Sequence, residues 1–449
     1  MHIGLENIVS FLLYPAFIAV FLLSVFWRPI IGIYFLLPLM PLQELRYHLN
    51  SYPLGSSVIG ITLLGVMLGL LRQGKSPFPK TPWTALLWLF MAYTFVSLWL
   101  GWFYIGDPLP LPGEGRFGVW QDYMMMPVLL FLVAGIAPTK RQIVGLLVVM
   151  CVSALLLDRG FWSEVGGRDF SHYNVDLRGG GGMGYAGVNG LAAFEAQISI
   201  FLVALASFER KRLLRLSYYA LALISAVCLM YSLSRGGYVA LLAGWLFLGV
   251  VKQRKLLIPL IVFGLTWTAV VPNAVRQRVT MTYDEQNGAL EHSAETRVTL
   301  WEDAMQVFDA NPVVGTGFGT YAHMHRIGNY EDTHNFFLKV LVETGVLGLL
   351  LFLWLLAKMF RIGYRLSRTA RDPFLASLGL GFAAWLVCSC VANCFGDRWT
   401  YLQINGYLWV IGGLVAQSLV LEKAAVPAAA EVGGEGALEV PALEPADVL

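Results

Sequence analysis

Thirteen apolar stretches run along the chain between polar connections, at about 7–27, 29–42, 57–71, 82–104, 117–136, 142–157, 187–208, 216–233, 236–251, 256–272, 336–357, 374–395 and 402–421. Most approach the roughly 20 residues that a helix needs to cross the hydrocarbon core of a bilayer. The stretch 29–42 is shorter and holds Pro29, Pro38 and Pro41, so it reads as short, kinked or re-entrant. About twelve spans result. The predicted fold is all-α: a polytopic membrane helix bundle over residues 1–421, interrupted by longer polar segments at about 158–186 and 273–335. From about Glu422 the chain turns to Ala, Pro, Gly, Val and Glu, with no aromatic residue and no apolar stripe. Residues 422–449 read as a disordered tail.

Composition agrees with this pattern. Hydrophobic residues make up 57% of the 449 positions and charged residues only 13%, about half the share in a soluble protein. Such a chain cannot enclose its apolar residues in a polar shell. A soluble enzyme, a disordered chain and a secreted disulfide scaffold are excluded. Cys151, Cys228, Cys388, Cys390 and Cys394 lie in or beside apolar stretches, and the spacing of the last three matches no common zinc pattern. They read as packing residues. No small-residue cleavage site follows the first stretch, so no cleavable leader is expected. No repeat of two related halves is visible, which weakens a transporter reading.

The net charge of +2 is uninformative, but the distribution of charge is not. One set of connections, from Arg28 through Lys75, Lys140, Lys211 and Lys252 to Arg371, carries eighteen basic residues against two acids, Glu209 and Asp372. The alternate set carries ten arginines, no lysine and seventeen acids. The excess of Lys and Arg marks the cytoplasmic side. Segments 158–186 and 273–335 are therefore expected outside and the tail inside. The N-terminus is outside if 29–42 spans and inside if it does not.

Arginine grips phosphate oxygens in a bidentate fork and keeps its charge at any working pH. A lysine-free outer surface therefore suits a diphosphate ligand, although arginines can also simply pair with the outer acids. Three contexts stand out. Ser232-Leu233-Ser234-Arg235-Gly236-Gly237 joins two apolar spans with almost no loop, so Arg235 either snorkels to lipid headgroups or faces a wet cavity. Arg297, Trp301, Ala304 and Phe308 recur on one helical face behind Ser293, a plausible N-cap. That amphipathic helix either presents Arg297 inward or pairs it with an acid such as Glu302. Arg178 precedes the run Gly179-Gly180-Gly181-Gly182, which can offer backbone N–H groups to a phosphate or serve as a flexible loop. Asp122 and Glu195 are further ionisable groups within apolar stretches. Lys339 and Glu343, four apart, are expected to neutralise each other. His323, His325 and His334 lack the spacing of metal ligands. His334 lies at the mouth of an apolar helix, beside the arginine-bearing segment. It is the better candidate for chemistry, because an imidazole can take a proton from a hydroxyl near neutral pH.

At these residues the sequence resembles the O-antigen ligase and O-antigen polymerase superfamily. Asp332-Thr333-His334-Asn335, with Leu338, Glu343, Gly345 and Gly348, looks like its signature. The Arg297 helix, Gly315-Thr316-Gly317, Ser234-Arg235-Gly236-Gly237 and Gly187-Val188-Asn189-Gly190 are similar to it in type and order. The likeness covers about 180–360, and elsewhere only the hydropathy profile is shared. Lys339 departs from it, since a neutral residue is more usual there. The modest outer segment argues against the branch that glycosylates proteins through an added domain.

The resemblance implies a lipid-linked glycosyltransferase of GT-C type, acting in lipopolysaccharide biosynthesis at the bacterial inner membrane. The donor is a glycan on undecaprenyl diphosphate, and the acceptor is lipid A–core in a ligase or the growing glycan in a polymerase. Ligase is the first reading, O-antigen or exopolysaccharide polymerase the second, and a bicarbonate-type transporter a distant third. His334 is expected to be the catalytic base, with Arg235 and Arg297 on the donor diphosphate. Arg178, Asn189, Gly317, Asn335 and Glu343 are further candidates for the cavity lining. Neither a metal nor any other cofactor is expected, and no nucleic acid partner.

The orientation can be tested with cysteines at Asn287 and Ser367, in a background lacking the native five. A membrane-impermeant thiol reagent, applied to cells with a permeabilised outer layer, is expected to label position 287 and spare 367. The reverse pattern inverts the topology.

Overall fold

The computed structural model describes residues 5–434 other than 107, 253, 282, 285–288, 291 and 329. Seventeen α-helices follow in order: α1 Leu5–Phe26, α2 Ile30–Leu39, α3 Gln43–Tyr47, α4 Val58–Arg72, α5 Thr84–Ile105, α6 Gly115–Ile136, α7 Lys140–Val165, α8 Gly187–Ala206, α9 Arg212–Tyr231, α10 Arg235–Val251, α11 Leu257–Val270, α12 Asn273–Thr280, α13 His292–Ala310, α14 Thr320–His323, α15 Phe336–Thr369, α16 Pro373–Asn393 and α17 Leu402–Gly434. Between α12 and α13, two-residue strands β1 (Tyr283–Asp284) and β2 (Ala289–Leu290) pair antiparallel.

Each of the thirteen apolar stretches is a helix. Among the described residues nine helices are long and apolar enough to cross a membrane, α11 and α12 form a further pair bent by 111°, and α2, α10 and the apolar part of α1 are shorter. The chain is a multi-pass helical membrane bundle. Its helices begin where polar residues can satisfy their first N–H groups. Thr139 and Gln142 form a capping box on α7, Asn335 accepts from Phe337 and Leu338 on α15, and Asp372 accepts from Phe374 on α16. The centre is built from α8, α16 and α17, whose spans are mostly buried. Small residues allow close approach there. A Cβ on Gly244 would meet Cys388 and Ile200, and one on Gly379 would meet the Gly363 carbonyl. Cys388 is fully buried in that contact.

The two ends of the bundle differ. At one end lie the Lys- and Arg-rich connections, where Lys140 pairs with Asp372 and Glu422 accepts from the N–H groups of Arg371 and Asp372. At the other end the segments after α2, α7, α9, α12 and α16 meet. The Glu44 N–H donates to Gly182, Arg178 to the Ser232 carbonyl and Arg398 to the Asn189 carbonyl. Short as it is, α2 connects the two ends: Pro29 packs near Gly69, and Met40 packs near Gly406.

Three boundaries differ from expectation. Helix α7 continues to Val165, because Phe161 and Val165 are buried against the glycine run rather than released into a loop. Helix α17 continues to Gly434, well into the tail expected to be disordered, and 435–449 lie outside the described residues. Helix α13 starts at His292, so Ser293 is within it rather than capping it.

The long α15 breaks at Gly345, whose φ is 66°. The break frees carbonyls below it and N–H groups above it. The segment Pro312–Gly317 takes both: Val346 and Leu347 donate to the carbonyls of Pro312 and Val313, while Thr316 and Gly317 donate to those of Val342 and Glu343. A Cβ on Gly345 would lie 2.2 Å from the Val313 oxygen, and one on Gly317 (φ 111°) would lie 2.2 Å from the Gly101 backbone. Phe318 then donates to the Ser97 carbonyl, docking the segment on α5. Helix α13 packs above it, with Ala304 and Val307 against Tyr321 and Val342.

Candidate functional site

A cavity of about 680 Å³ opens at the end of the bundle opposite the lysine-rich connections. Tyr173, Val175 and Arg178 line it from the α7–α8 segment, Asn189 from α8, and Leu233 to Gly236 with Val239 from the start of α10. Arg278 enters from α12, Ala294, Arg297, Val298 and Trp301 from α13, and Phe395 and Arg398 from the α16–α17 turn. Five arginines therefore converge, and among the described residues no acid lines the cavity.

Asn189 organises the arginines. Its side-chain oxygen accepts from Arg178 Nη2 and Ser234 Oγ, each at 2.8 Å, and its carbonyl accepts from Arg398 Nε at 3.0 Å. Arg398 also donates to the Ala392 carbonyl. Arg278 lies 5.0 Å from the ring centre of Tyr173, and Arg235 donates to the Met281 carbonyl. Burial lowers the Arg178 guanidinium from its ordinary range, and the charges of Arg278 and Arg235 add to the effect. Burial pulls Arg398 down to about 10, against the opposing influence of Asp332. Both still carry a proton near neutral pH. Mutually repelling cations in a partly buried site are costly until an anion occupies it.

His334 does not line this cavity but lies beside it. The Trp301 Nε1 donates to the Thr333 carbonyl at 3.0 Å, and Asp332 is close enough in charge to act on Arg398. His334 itself has φ 50°, and its backbone N–H and Nδ1 both lie 2.7 Å from Asp332 Oδ1. Burial alone would raise the Asp332 carboxyl. The hydrogen bonds from His334, the charge that ring bears when protonated and the charge of Lys339 hold it below its usual value. His334 is thus oriented by an ionised carboxylate and remains partly exposed.

Of the expected site residues, the fold brings Arg178, Asn189, Arg235 and Arg297 together in the cavity, with His334 adjacent. Gly317, Asn335 and Glu343 are not in its lining. Gly317 serves the close contact with α5, and Asn335 caps α15. Glu343 is buried and accepts from the N–H groups of Gly319 and Tyr321 at the start of α14. Lys339 pairs with Asp397 at 2.7 Å, not with Glu343, because the turn after α16 reaches it where its own helix neighbour is already engaged. In the glycine run, the Gly181 N–H is held by Glu164. Glu195 is fully buried within the bundle, away from the cavity lining. Asp122 feels the charge of Arg46. Other outer arginines do pair with acids: Arg326 with Asp303 at 2.8 Å and Arg168 with Glu164 at 3.8 Å.

Sequence reasoning did not assign Arg278 and Arg398 to the site. Their one signal was the exclusive use of arginine on this side. Among the described residues no three His, Cys, Asp or Glu side chains are grouped to hold a metal ion.

Residues 220–353 match the family model described as O-antigen ligase. The chain carries an O-antigen ligase domain. This domain holds Arg235, Arg278, Arg297, Trp301 and His334, whereas Arg178, Asn189 and Arg398 come from outside it. A comparison with curated proteins finds no match. The O-antigen ligase family implies a glycosyltransferase-type enzyme, with a lipid-linked glycan and an acceptor as its partners.

Glu343 within this domain is predicted to be structural. Glu343→Ala leaves two N–H groups unpaired, that of Tyr321 buried and that of Gly319 partly so, and is expected to cost about 2–4 kcal/mol. Thermal unfolding in detergent reads this as a lowered Tm. Glu343→Gln, which retains an acceptor, is expected to lose less. Equal melting of all three proteins would contradict the role.

Proposed function

We propose that the protein is an O-antigen ligase-type glycosyltransferase. It moves a glycan from undecaprenyl diphosphate to a sugar hydroxyl of lipid A–core, at the periplasmic face of the inner membrane. The observation that carries this reading is the convergence of five arginines next to a histidine held by a carboxylate. The distribution of lysine supports the periplasmic placement.

In this reading Arg235 and Arg297 grip the donor diphosphate, aided by Arg178, Arg278 and Arg398. With Nδ1 engaged by Asp332, Nε2 of His334 is the free acceptor. It takes the proton of the acceptor hydroxyl as that oxygen bonds to the anomeric carbon. The bond from that carbon to the phosphate oxygen breaks, and the lipid diphosphate leaves with the electron pair. The arginines stabilise the charge that builds on it. The chemistry calls for no metal and no nucleotide. A polymerase would use the same groups with the growing glycan as acceptor. Deletion of the gene separates the two: bare core with long lipid-linked chains indicates a ligase, and core bearing single repeat units a polymerase.

His334→Ala is expected to abolish transfer while the purified protein still binds donor; an active alanine variant would overturn the assignment. Arg235→Lys and Arg297→Lys are expected to fall about 10²-fold in rate, nearly as far as alanine, since lysine retains charge but loses the fork. Normal lysine variants would reduce these residues to charge pairing. Transfer from purified lipid-linked donor in detergent is expected to survive EDTA; loss restored by one divalent ion would contradict a metal-free reaction.

A further inference from the structure

We infer that Trp301 is the platform on which the sugar next to the diphosphate rests, and that it sets the position of that sugar between the arginines and His334. This inference rests on the glycosyltransferase reading above. Trp301 lines the cavity one helical turn from Arg297. Its indole N–H is committed to the carbonyl of Thr333, the residue before His334. It is thereby a cavity side chain bonded directly to the loop that carries His334. A group held by Arg297 at one end and approached by His334 at the other must pass this ring.

Among the described residues the cavity has three aromatic lining residues. The Tyr173 ring is taken by the Arg278 guanidinium, and Phe395 packs against Gly236. Among the described residues no aromatic ring or cation stacks on Trp301. A pyranose presents a face of apolar, weakly positive C–H groups, which suits the negative face of an indole. The donor set thus divides by chemistry: the guanidinium groups suit the diphosphate, and the free indole suits the sugar. The Thr333 hydrogen bond fixes the height of the platform relative to His334, and this positioning converts binding into reactive geometry.

Two ligands separate a platform from a strut: undecaprenyl diphosphate without sugar, and undecaprenyl diphosphate bearing a single hexose. Binding of each is measured to the full-length protein in nanodiscs, as wild type, Trp301→Phe and Trp301→Leu. The wild type is expected to prefer the sugar-bearing lipid. Trp301→Leu is expected to lose about tenfold or more of its affinity for that lipid while binding the bare lipid diphosphate as wild type does. Trp301→Phe retains a ring without the N–H. It is expected to keep the sugar preference but to lose transfer rate, as the loop carrying His334 is no longer tied. Equal weakening toward both lipids in either variant would make Trp301 a support for Arg297 and overturn the inference; unchanged binding of both lipids by Trp301→Leu would overturn it as well. If Trp301→Leu does not fold, Trp301→Phe decides: loss of its sugar preference overturns the platform. A wild-type protein that binds neither lipid defeats the glycosyltransferase reading itself, a result distinct from all of these.

Discussion

The site depends on a broken helix. Gly345 interrupts α15 inside an apolar bundle, where water is not available to satisfy the freed backbone groups. The segment Pro312–Gly317 supplies their partners, and in doing so it is pinned to the bundle at four backbone bonds. The placement of α13 and α14 follows. The pinned segment carries α14, whose first N–H groups are held by Glu343. Helix α13 packs on Tyr321 and Val342 and so brings Arg297 and Trp301 over the cavity. The glycines at 315, 317 and 345 share one purpose, since a side chain at any of them would collide with backbone across this junction.

A second constraint is electrostatic. Five guanidinium groups cannot gather without something holding them apart and in place. For Arg178, Arg235 and Arg398, neutral oxygens take part in this: the Asn189 amide and carbonyl, and the carbonyls of Ser232, Ala392 and Met281. Acids in those places would have neutralised the cavity and left it indifferent to an anionic ligand. Four acids of this side are engaged elsewhere, with Arg326, Arg168, Lys339 and His334.

The helical architecture was legible because lipid and bundle core both demand long apolar runs, and every such run is a helix. The ends were less legible. Val165 stays helical because of burial against a glycine run that follows it in sequence, and periodicity does not report such contacts. Lys339 illustrates the same limit: its neighbour at i+4 is the local expectation, but its partner Asp397 lies 58 residues away. Arg235, Arg297 and His334 stood out by their immediate surroundings, a tight turn, a helical face and a helix mouth. Arg278 and Arg398 had no such surroundings and were visible only as members of a lysine-free set. Glu343, Gly317 and Asn335 were noticed for the right reason, as members of a recurring pattern. None of the three is among the described residues lining the arginine cavity: Gly317 and Glu343 make contacts at the junction, and Asn335 caps α15.

The way Asn189 ties together Arg178, Ser234 and Arg398 bears on modularity. The O-antigen ligase domain is contiguous in sequence, yet the arginine cluster is not contained in it. Two of the five arginines, and the residue that orients both, come from segments before and after it. The unit that can be inherited or exchanged as a working whole is therefore larger than the segment that can be recognised. A transplant of residues 220–353 into a different bundle would carry His334 and the junction but only part of the arginine cluster, and a new host would have to supply matching residues of its own.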